Sequence, residues 1–599
     1  MNKTDLRIEV LGTSLTISTD EDPEYLDKLL EKYKNTIENV RKASRLDEPL
    51  KIAILTGFLI SHDLEKLEKS FSSPAQDQGD QGELEKLTMG MIKVLEEALV
   101  SAKDSSNTDT SNTIGKKAKD ANPAIQTNSL FDDLADLSPA DFPSENPAED
   151  LMESPANYTA PKRDDLPKTN IYKLHNPVKN YEWGSTEWIP LLLNKENTAK
   201  NPWAELWMGV NPAGPSKIIL PETEKEGPSL YELINNDPSV FLGRPVYEKY
   251  GKLPFLFKIL AVGRPLSIQV HPDREDAKKG YKKENEMGLS IDSPERNYKD
   301  KHAKPEMLCA LGSFIALCGF RNVLEIHTLL TKLSMLPGCE GINQLSLEKL
   351  LNALKGENSL PLGEFINALT SMDASSAIAF GRFVKSHIAL LEMKYPENLN
   401  EWKLTAFFAN LYPGDPMIMA PLFLNIVELS QGEAVFIPPG IPHLYIHGMA
   451  IELMADSDNV IRGGLSSKYI DTQDFNNIVK HTEYNPEILK KDDTEVSGEK
   501  VSGFIWHRYK SNAEEFSLSQ IQNKTAVIDY QEKGPSIFIV MEGMAVFRDF
   551  ESNTETLVKT GESVIIPSGM KLELRGNYKA YAACTGLPSD STDFAESSE

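Results

Sequence analysis

Two imidazoles, a carboxylate and an amide stand in contexts that suit metal chemistry. Gln269 and His271 lie in PLSIQVHPD. They are two apart on an expected strand, a spacing that turns both side chains to one face. Glu306 lies in HAKPEML, where Pro305 enforces an extended entry. His443 lies in PPGIPHLY, at the end of an expected strand. Together they offer two nitrogens, a carboxylate oxygen and an amide oxygen. That is a borderline-soft donor set without thiolate, suited to zinc and leaving room for water or substrate. Spacing alone leaves two readings open. Either the segments converge on one metal, or each His is a satisfied structural residue and Glu306 a surface carboxylate.

The elements that must position these residues are mostly strands. From Ile171 the chain is β-rich, with aromatic and Gly/Pro punctuation. Between Asn322 and Trp402 it turns helical, in NVLEIHTLLTKLSML, SLEKLLNALKG and AIAFGRFVKSHIALLEMKY. Strands return at 423–448, and a last β segment covers 503–586. Two stretches there look alike, ELSQGEAVFIPPGIPH and VKTGESVIIPSGMKLEL. Each reads G-E-x-V-x-I-P-x-G: a Gly turn, a strand and a Pro-Gly corner. The repeat implies a mainly β protein with two jelly-roll barrels of cupin type and a helical insertion. A small α+β unit precedes them. Residues 5–18 read as two alternating strands turning at Gly12, followed by a helix and then a long helix over 83–103.

The expected domains are 1–103, a disordered acidic Pro/Ser-rich linker at 104–168, a catalytic cupin domain at 169–321 plus 403–475, the helical insertion at 322–402, and a C-terminal cupin-like domain at 476–588. Within the linker, 128–142 mixes acidic and bulky apolar residues. A formal charge of −26 argues against nonspecific binding to nucleic acid or an anionic membrane, since both need a positive surface. An anionic ligand must then be held by a local cluster of Lys and Arg. Four cysteines without C-x-x-C spacing imply a reducing compartment. With no apolar run near ~20 residues and no signal-like leader, the expected location is the cytoplasm.

Five blocks carry a resemblance: EWGSTEWIP, NPWAELWMGVNPAGPS, LPFLFKILAVGRPLSIQVHPD, KPEMLCAL and ELMADSDNVIRGGLSSKYID. In this order they resemble the signature blocks of type I mannose-6-phosphate isomerases, a family of zinc enzymes with two jelly-roll domains and a helical insertion. The resemblance implies one zinc ion on Gln269, His271, Glu306 and His443. It implies Arg462, Glu452 and Lys304 as catalytic groups. Ser267, Lys468 and Tyr445 then fall on substrate-binding positions, with Ser267 and Lys468 as phosphate contacts. The implied reaction interconverts mannose 6-phosphate and fructose 6-phosphate by moving a proton between C1 and C2 through a cis-enediol. Glu452 or a zinc-bound water would be the base. Leu444, Gly463, Ser466 and Ser467 depart from the commoner family residues, and none of these departures removes a functional side chain.

The N-terminal segments RIEVLGTSLTISTDEDPEYLDKLLEKYKNTIENV and KIAILTGFLISHDLEKLEKS resemble the ZapA family of small cell-division proteins. That implies self-association through 1–103 and the tubulin-like FtsZ as a partner. The competing expectation is a non-catalytic cell-division adaptor that uses a cupin scaffold to bind. Retention of all four ligand positions and Arg462 favours the enzyme.

Overall fold

A computed structural model describes residues 4–10, 13–19, 37, 171–587 and 593–596, with gaps at 222, 340–343, 356–360, 491–494, 497–501 and 532–533. The expected N-terminal helices, the linker and the 128–142 segment lie outside the described residues. The chain divides into two units, Met1–Asn122 and Pro123–Glu599. In the first, β1 (Thr4–Val10) pairs antiparallel with β2 (Thr13–Thr19), in register from Thr4–Thr19 to Val10–Thr13. Among the described residues, no helix is long and apolar enough to cross a membrane.

The second unit holds two sheets, of 10 and 12 strands. The first contains β3 (Glu205–Met208), β4 (Phe255–Val262), β5 (Ile268–Val270), β6 (Glu306–Phe320), β7 (Ala434–Ile437), β8 (His443–Ala455) and β9 (Ile461–Gly464). The spine of this sheet is the long antiparallel ladder of β6 and β8. Glu306 pairs with Met454 at one end, and Cys318 pairs with His443 at the other. A straight ladder of that length would separate its ends by roughly 40 Å, at ~3.3 Å per residue. Yet Leu308 and Ala310, near one end, share an apolar cluster with Ala316, Cys318 and Tyr445, near the other. The ladder has therefore folded over on itself. The fold falls where the register slips, between Ala310 and Phe314 and again before Ala316. Such irregularities bend a strand and increase its twist. Gly448, at φ 125°, pairs with Phe314 at this point.

The second sheet repeats this plan. In the first, β6 pairs with Leu424–Leu429, β7 and β8. In the second, β10 (Ser536–Asp549) pairs with Glu555–Lys559, Ser563–Ile566 and β11 (Lys571–Cys584). The G-E-x-V-x-I-P-x-G segments supply β7 and Ser563–Ile566, and their last glycines, Gly440 and Gly569, sit at φ 87° and 78°. The two copies differ in one connection. Asp549 reaches Glu555 by a short turn, whereas Phe320 reaches Leu424 through a set of helices.

Those helices run from Val323 to Phe423, beyond Trp402. The helix Leu399–Leu411 buries Trp402, Leu404, Thr405, Phe407 and Phe408. Enclosed on most sides, it lacks the one-sided apolar stripe by which surface helices announce themselves in sequence. His387 separates Ala374–Ser386 from Ile388–Lys394, which the sequence ran together. The helices pack on the outer end of the first sheet, where Ile268, Val270 and Leu317 join their apolar cluster.

A Cβ at Gly448 would lie 2.5 Å from the Ser313 carbonyl oxygen and 2.7 Å from the Phe314 ring, besides requiring an unfavourable φ. Gly448→Ala is expected to cost about 1–3 kcal/mol. Urea denaturation followed by tryptophan fluorescence measures this, and an unchanged midpoint would remove Gly448 from its role in the bend.

Candidate metal centre

The folded ladder carries Glu306 on β6 to His443 on β8. His443 Nε2 lies 3.2 Å from Glu306 Oε2, and His271 Nε2 lies 3.2 Å from Glu306 Oε1. All three side chains are buried, and their ligand atoms fall within 4.8 Å of one another. On β5, Ile268 and Val270 point into the helical core, which leaves Gln269 on the opposite face. His271 follows directly after the strand. Gln269 stands opposite His443 in register, with its Nε2 3.4 Å from His443 Nε2. A half-turn of the amide brings Oε1 to the same point.

The other imidazole nitrogens determine what these atoms present. His271 Nδ1 meets the Asn459 carbonyl at 2.8 Å, and His443 Nδ1 meets the Ile441 carbonyl at 3.0 Å. A carbonyl accepts only, so each Nδ1 carries a proton, and in a neutral ring that leaves Nε2 with a lone pair. Burial drives the His271 pKa down to about 4, against the pull of Glu306, and keeps the ring neutral. Burial also works against ionised Glu306, but the Lys304 ammonium helps hold the carboxyl well below its usual range. Lys304 Nζ is 3.3 Å from Glu306 Oε1. The lone pair of the neutral His271 ring thus faces the carboxylate, and His271 Nε2 and Glu306 Oε2 have no hydrogen-bond partner. Buried acceptors aimed at one another are costly unless a cation lies between them. The donor set fits a divalent metal, and Gln269, His271, Glu306 and His443 could hold it.

Outer contacts lock this arrangement. The Asn459 side chain accepts from the Lys299 and Asp300 amides at 2.7 and 3.0 Å. Its amide nitrogen donates to the His302 carbonyl at 3.0 Å. His302 therefore serves the site through its backbone alone. The Gly440 amide, at the Pro-Gly corner preceding His443, donates to the His271 carbonyl at 2.9 Å. The two histidine segments are tied together before any metal arrives. Tyr445 packs its ring on His443 at 5.7 Å, and burial with Glu306 and Glu452 nearby holds its phenol far above the ordinary range.

Beside the centre, one rung carries Trp207, Lys258 and Glu452 across β3, β4 and β8. Lys258 Nζ reaches Glu452 at 3.0 Å and Glu205 at 3.5 Å, and all three groups are buried. Burial would lower the Lys258 pKa, but Glu205 and Glu452 outweigh it and raise it. Burial raises Glu452, opposed by Lys258. Arg462 on β9 is half-buried and pairs in register with Gln269. Ser267 is half-buried two residues before Gln269, while Lys468 is exposed, with its Nζ 5.2 Å from the centre of the Tyr181 ring. Tyr181 stacks on Trp183 and is pushed up to about 12, first by burial and then by Glu205.

Sequence reading passed over Lys258, Glu205, Asn459 and Tyr181. Lys258 carried a signal: it is the one charge in FLFKILAV, a strand buried at every position. A cation there must be paired. Asn459 carried none, because its role depends on a loop meeting His271 from a distant part of the chain. Replacing it tests the lock without removing a ligand. Asn459→Ala is expected to weaken divalent-metal affinity by ~10–100-fold. Competition with a coloured chelator measures this, and wild-type affinity would show that the loop is dispensable.

The phosphomannose isomerase type I catalytic-domain family matches residues 171–323, and the cell division protein ZapA family matches residues 6–98. Mannose-6-phosphate isomerase of Escherichia coli (strain K12) is 33% identical over 407 residues, spanning 66% of this chain and 94% of that protein. Mannose-6-phosphate isomerase 1 of Arabidopsis thaliana is 30% identical over 432 residues, spanning 68% of this chain and 92% of its own. A mutant phosphomannose isomerase from Salmonella typhimurium superposes with a TM-score of 0.60 at 30% identity, covering 70% of this chain and 100% of that one. A zinc-bound mannose 6-phosphate isomerase superposes with the same TM-score of 0.60 and the same identity and coverage. The chain belongs to the type I mannose-6-phosphate isomerase family.

Proposed function

We propose that the chain is a zinc-dependent aldose–ketose isomerase that interconverts mannose 6-phosphate and fructose 6-phosphate through a cis-enediol. The observation that carries this reading is the buried convergence of His271, Glu306 and His443, with His271 Nε2 and Glu306 Oε2 lacking hydrogen-bond partners. The zinc-bound relative supports zinc as the ion. Gln269, His271, Glu306 and His443 would hold one ion per chain. When bound, zinc supplies Lewis-acid polarisation of the substrate's carbonyl oxygen.

The remaining steps belong to side chains. Glu452 takes the proton from one carbon and returns it to the other. Its raised pKa makes it a better proton carrier near neutrality than an exposed carboxylate. Lys258, 3.0 Å away, fixes its orientation. Arg462 supplies a permanent, forked cation for the oxyanion that develops as the carbonyl becomes an enediol. Lys304 steadies Glu306 and completes the catalytic set. Tyr445 walls the site beside His443. The Ser267 hydroxyl and the Lys468 ammonium hold the phosphate, a local cationic contact that the acidic chain as a whole does not provide.

The same reading assigns two jelly-roll barrels of cupin type, at 169–321 with 403–475 and at 476–588, the helical insertion at 322–402, and a linker at 104–168. The ZapA match supports residues 1–103 as a self-association module, with FtsZ its proposed partner. The proposed location is the cytoplasm.

Two measurements test the reaction. Purified full-length protein should convert mannose 6-phosphate to fructose 6-phosphate, lose that activity on chelation and regain it with zinc. A folded, zinc-loaded but inactive protein would favour the adaptor reading. The base is tested by pH. Lys258 lowers the Glu452 pKa, so Lys258→Met should raise it further. A base works deprotonated, so the acid limb of kcat/KM should move to higher pH. An acid limb that stays in place would exclude Glu452 as the base.

A further inference from the structure

One carboxylate among the helices between Val323 and Phe423 grips the strand that carries Arg462. Asp415 lies between helix Leu399–Leu411 and the short helical turn Pro416–Met419. Its Oδ1 accepts from the Met417 amide at 2.8 Å and caps that turn. Its Oδ2 accepts from the Leu465 amide at 2.5 Å. Burial raises the Asp415 pKa, and the two amides work against that rise. Leu465 is the first residue after β9, fully buried, with φ 55°. In that left-handed conformation a leucine Cβ crowds the following carbonyl, so it persists only where the surroundings enforce it. A Cβ at the preceding Gly464 would lie 2.6 Å from Met417 Cγ and 2.8 Å from Asp415 Oδ1. The insertion therefore holds the chain tightly at the point where it leaves the ladder.

The two sides of Leu465 differ in their support. Upstream, Arg462 is in register with Gln269 on β5, and its carbonyl accepts from the Asp471 amide at 3.1 Å. Downstream, the chain runs outside β9 through Ser466 and Ser467 to Lys468, and the last two are exposed. The Lys468 amide donates to Ser466 Oγ at 3.0 Å, a bond within the turn itself. The direction of this exit is set at Leu465. We propose that Asp415 is a positioning residue for the substrate's phosphate: by fixing Leu465 it aims the Ser466–Lys468 turn, and the helical insertion thereby sets sugar-phosphate affinity. This rests on the isomerase reading, in which Lys468 holds the phosphate. The phosphate is remote from C1 and C2 and is held alike before and during proton transfer, so loosening it raises KM and leaves kcat. Arg462 and the metal-binding residues keep their own ladder contacts.

Asp415→Asn and Asp415→Ser test this in the full-length, zinc-loaded protein. Each keeps one acceptor that can cap Met417 and loses the second that holds Leu465. Both variants should keep their zinc and, to within about twofold, their kcat, while KM for mannose 6-phosphate rises about tenfold or more. Calorimetric titration with mannitol 6-phosphate, which has no carbonyl to isomerise, should show affinity falling by a similar factor. Hydrogen exchange should quicken in the peptide holding Leu465 and stay at wild-type rates in β6 and β8. Unchanged KM and affinity, a fall in kcat with KM held, loss of zinc, or wild-type exchange at Leu465 would each overturn the proposal. A wild-type protein that binds mannitol 6-phosphate but turns over no sugar phosphate sinks the isomerase reading alone, and binding in the variants then decides on Asp415. A wild type that does neither sinks both.

Discussion

The centre depends on a ladder that doubles back. Glu306 and His443 sit at opposite ends of the paired strands β6 and β8, and a straight sheet would hold them far apart. Register slips opposite Gly448 let the ladder close over its own apolar lining. The metal-binding atoms converge as a consequence. Burial of Leu308, Ala316 and Tyr445 in one cluster is the driving force, since apolar area leaves water only if the ends approach. The carboxylate and imidazoles are carried inward by that closure and must find charge complementarity there.

Complementarity comes from pairing each buried charge. Lys258 lies between Glu205 and Glu452, and Lys304 lies against Glu306. Breaking such a pair strands an uncompensated charge, so these residues specify the pocket more than they stabilise it. The His271 ring is kept neutral by burial, and both imidazoles are oriented by main-chain carbonyls. At the centre, His271 Nε2 and Glu306 Oε2 are left without partners, and a dication would satisfy them.

The second sheet shows how little of this follows from the scaffold. It has the same order of long, short, short and long strands and the same Pro-Gly corner. Ser536 begins its first long strand where Glu306 begins β6, and Leu572 follows its corner glycine as His443 follows Gly440. Both positions are buried, and they offer a hydroxyl and an apolar chain. Replacing a connecting turn with helices, in the first sheet alone, adds a separate apolar core that backs β5 and steadies the strand carrying Gln269.

The sequence by itself offered candidate ligand types, with spacing leaving their convergence open, and it carried the β-rich plan, the helical stretch and the repeated corner. Each rests on local spacing: alternation in PLSIQVHPD, period in VLEIHTLLTKL, and Gly and Pro at the turn. Family blocks added Arg462, Glu452, Lys304, Ser267, Lys468 and Tyr445. Helix Leu399–Leu411 escaped because burial on most sides erases its stripe. Lys258 was visible as a lone charge in an apolar strand, but its partners were not. The carbonyls that set both imidazole tautomers, the closure of the β6 and β8 ladder, and the bond from Leu465 to Asp415 were settled only by the tertiary structure. They are contacts between residues far apart in the chain, made when apolar surfaces bury together, and no local pattern encodes which distant backbone atom meets a given side chain.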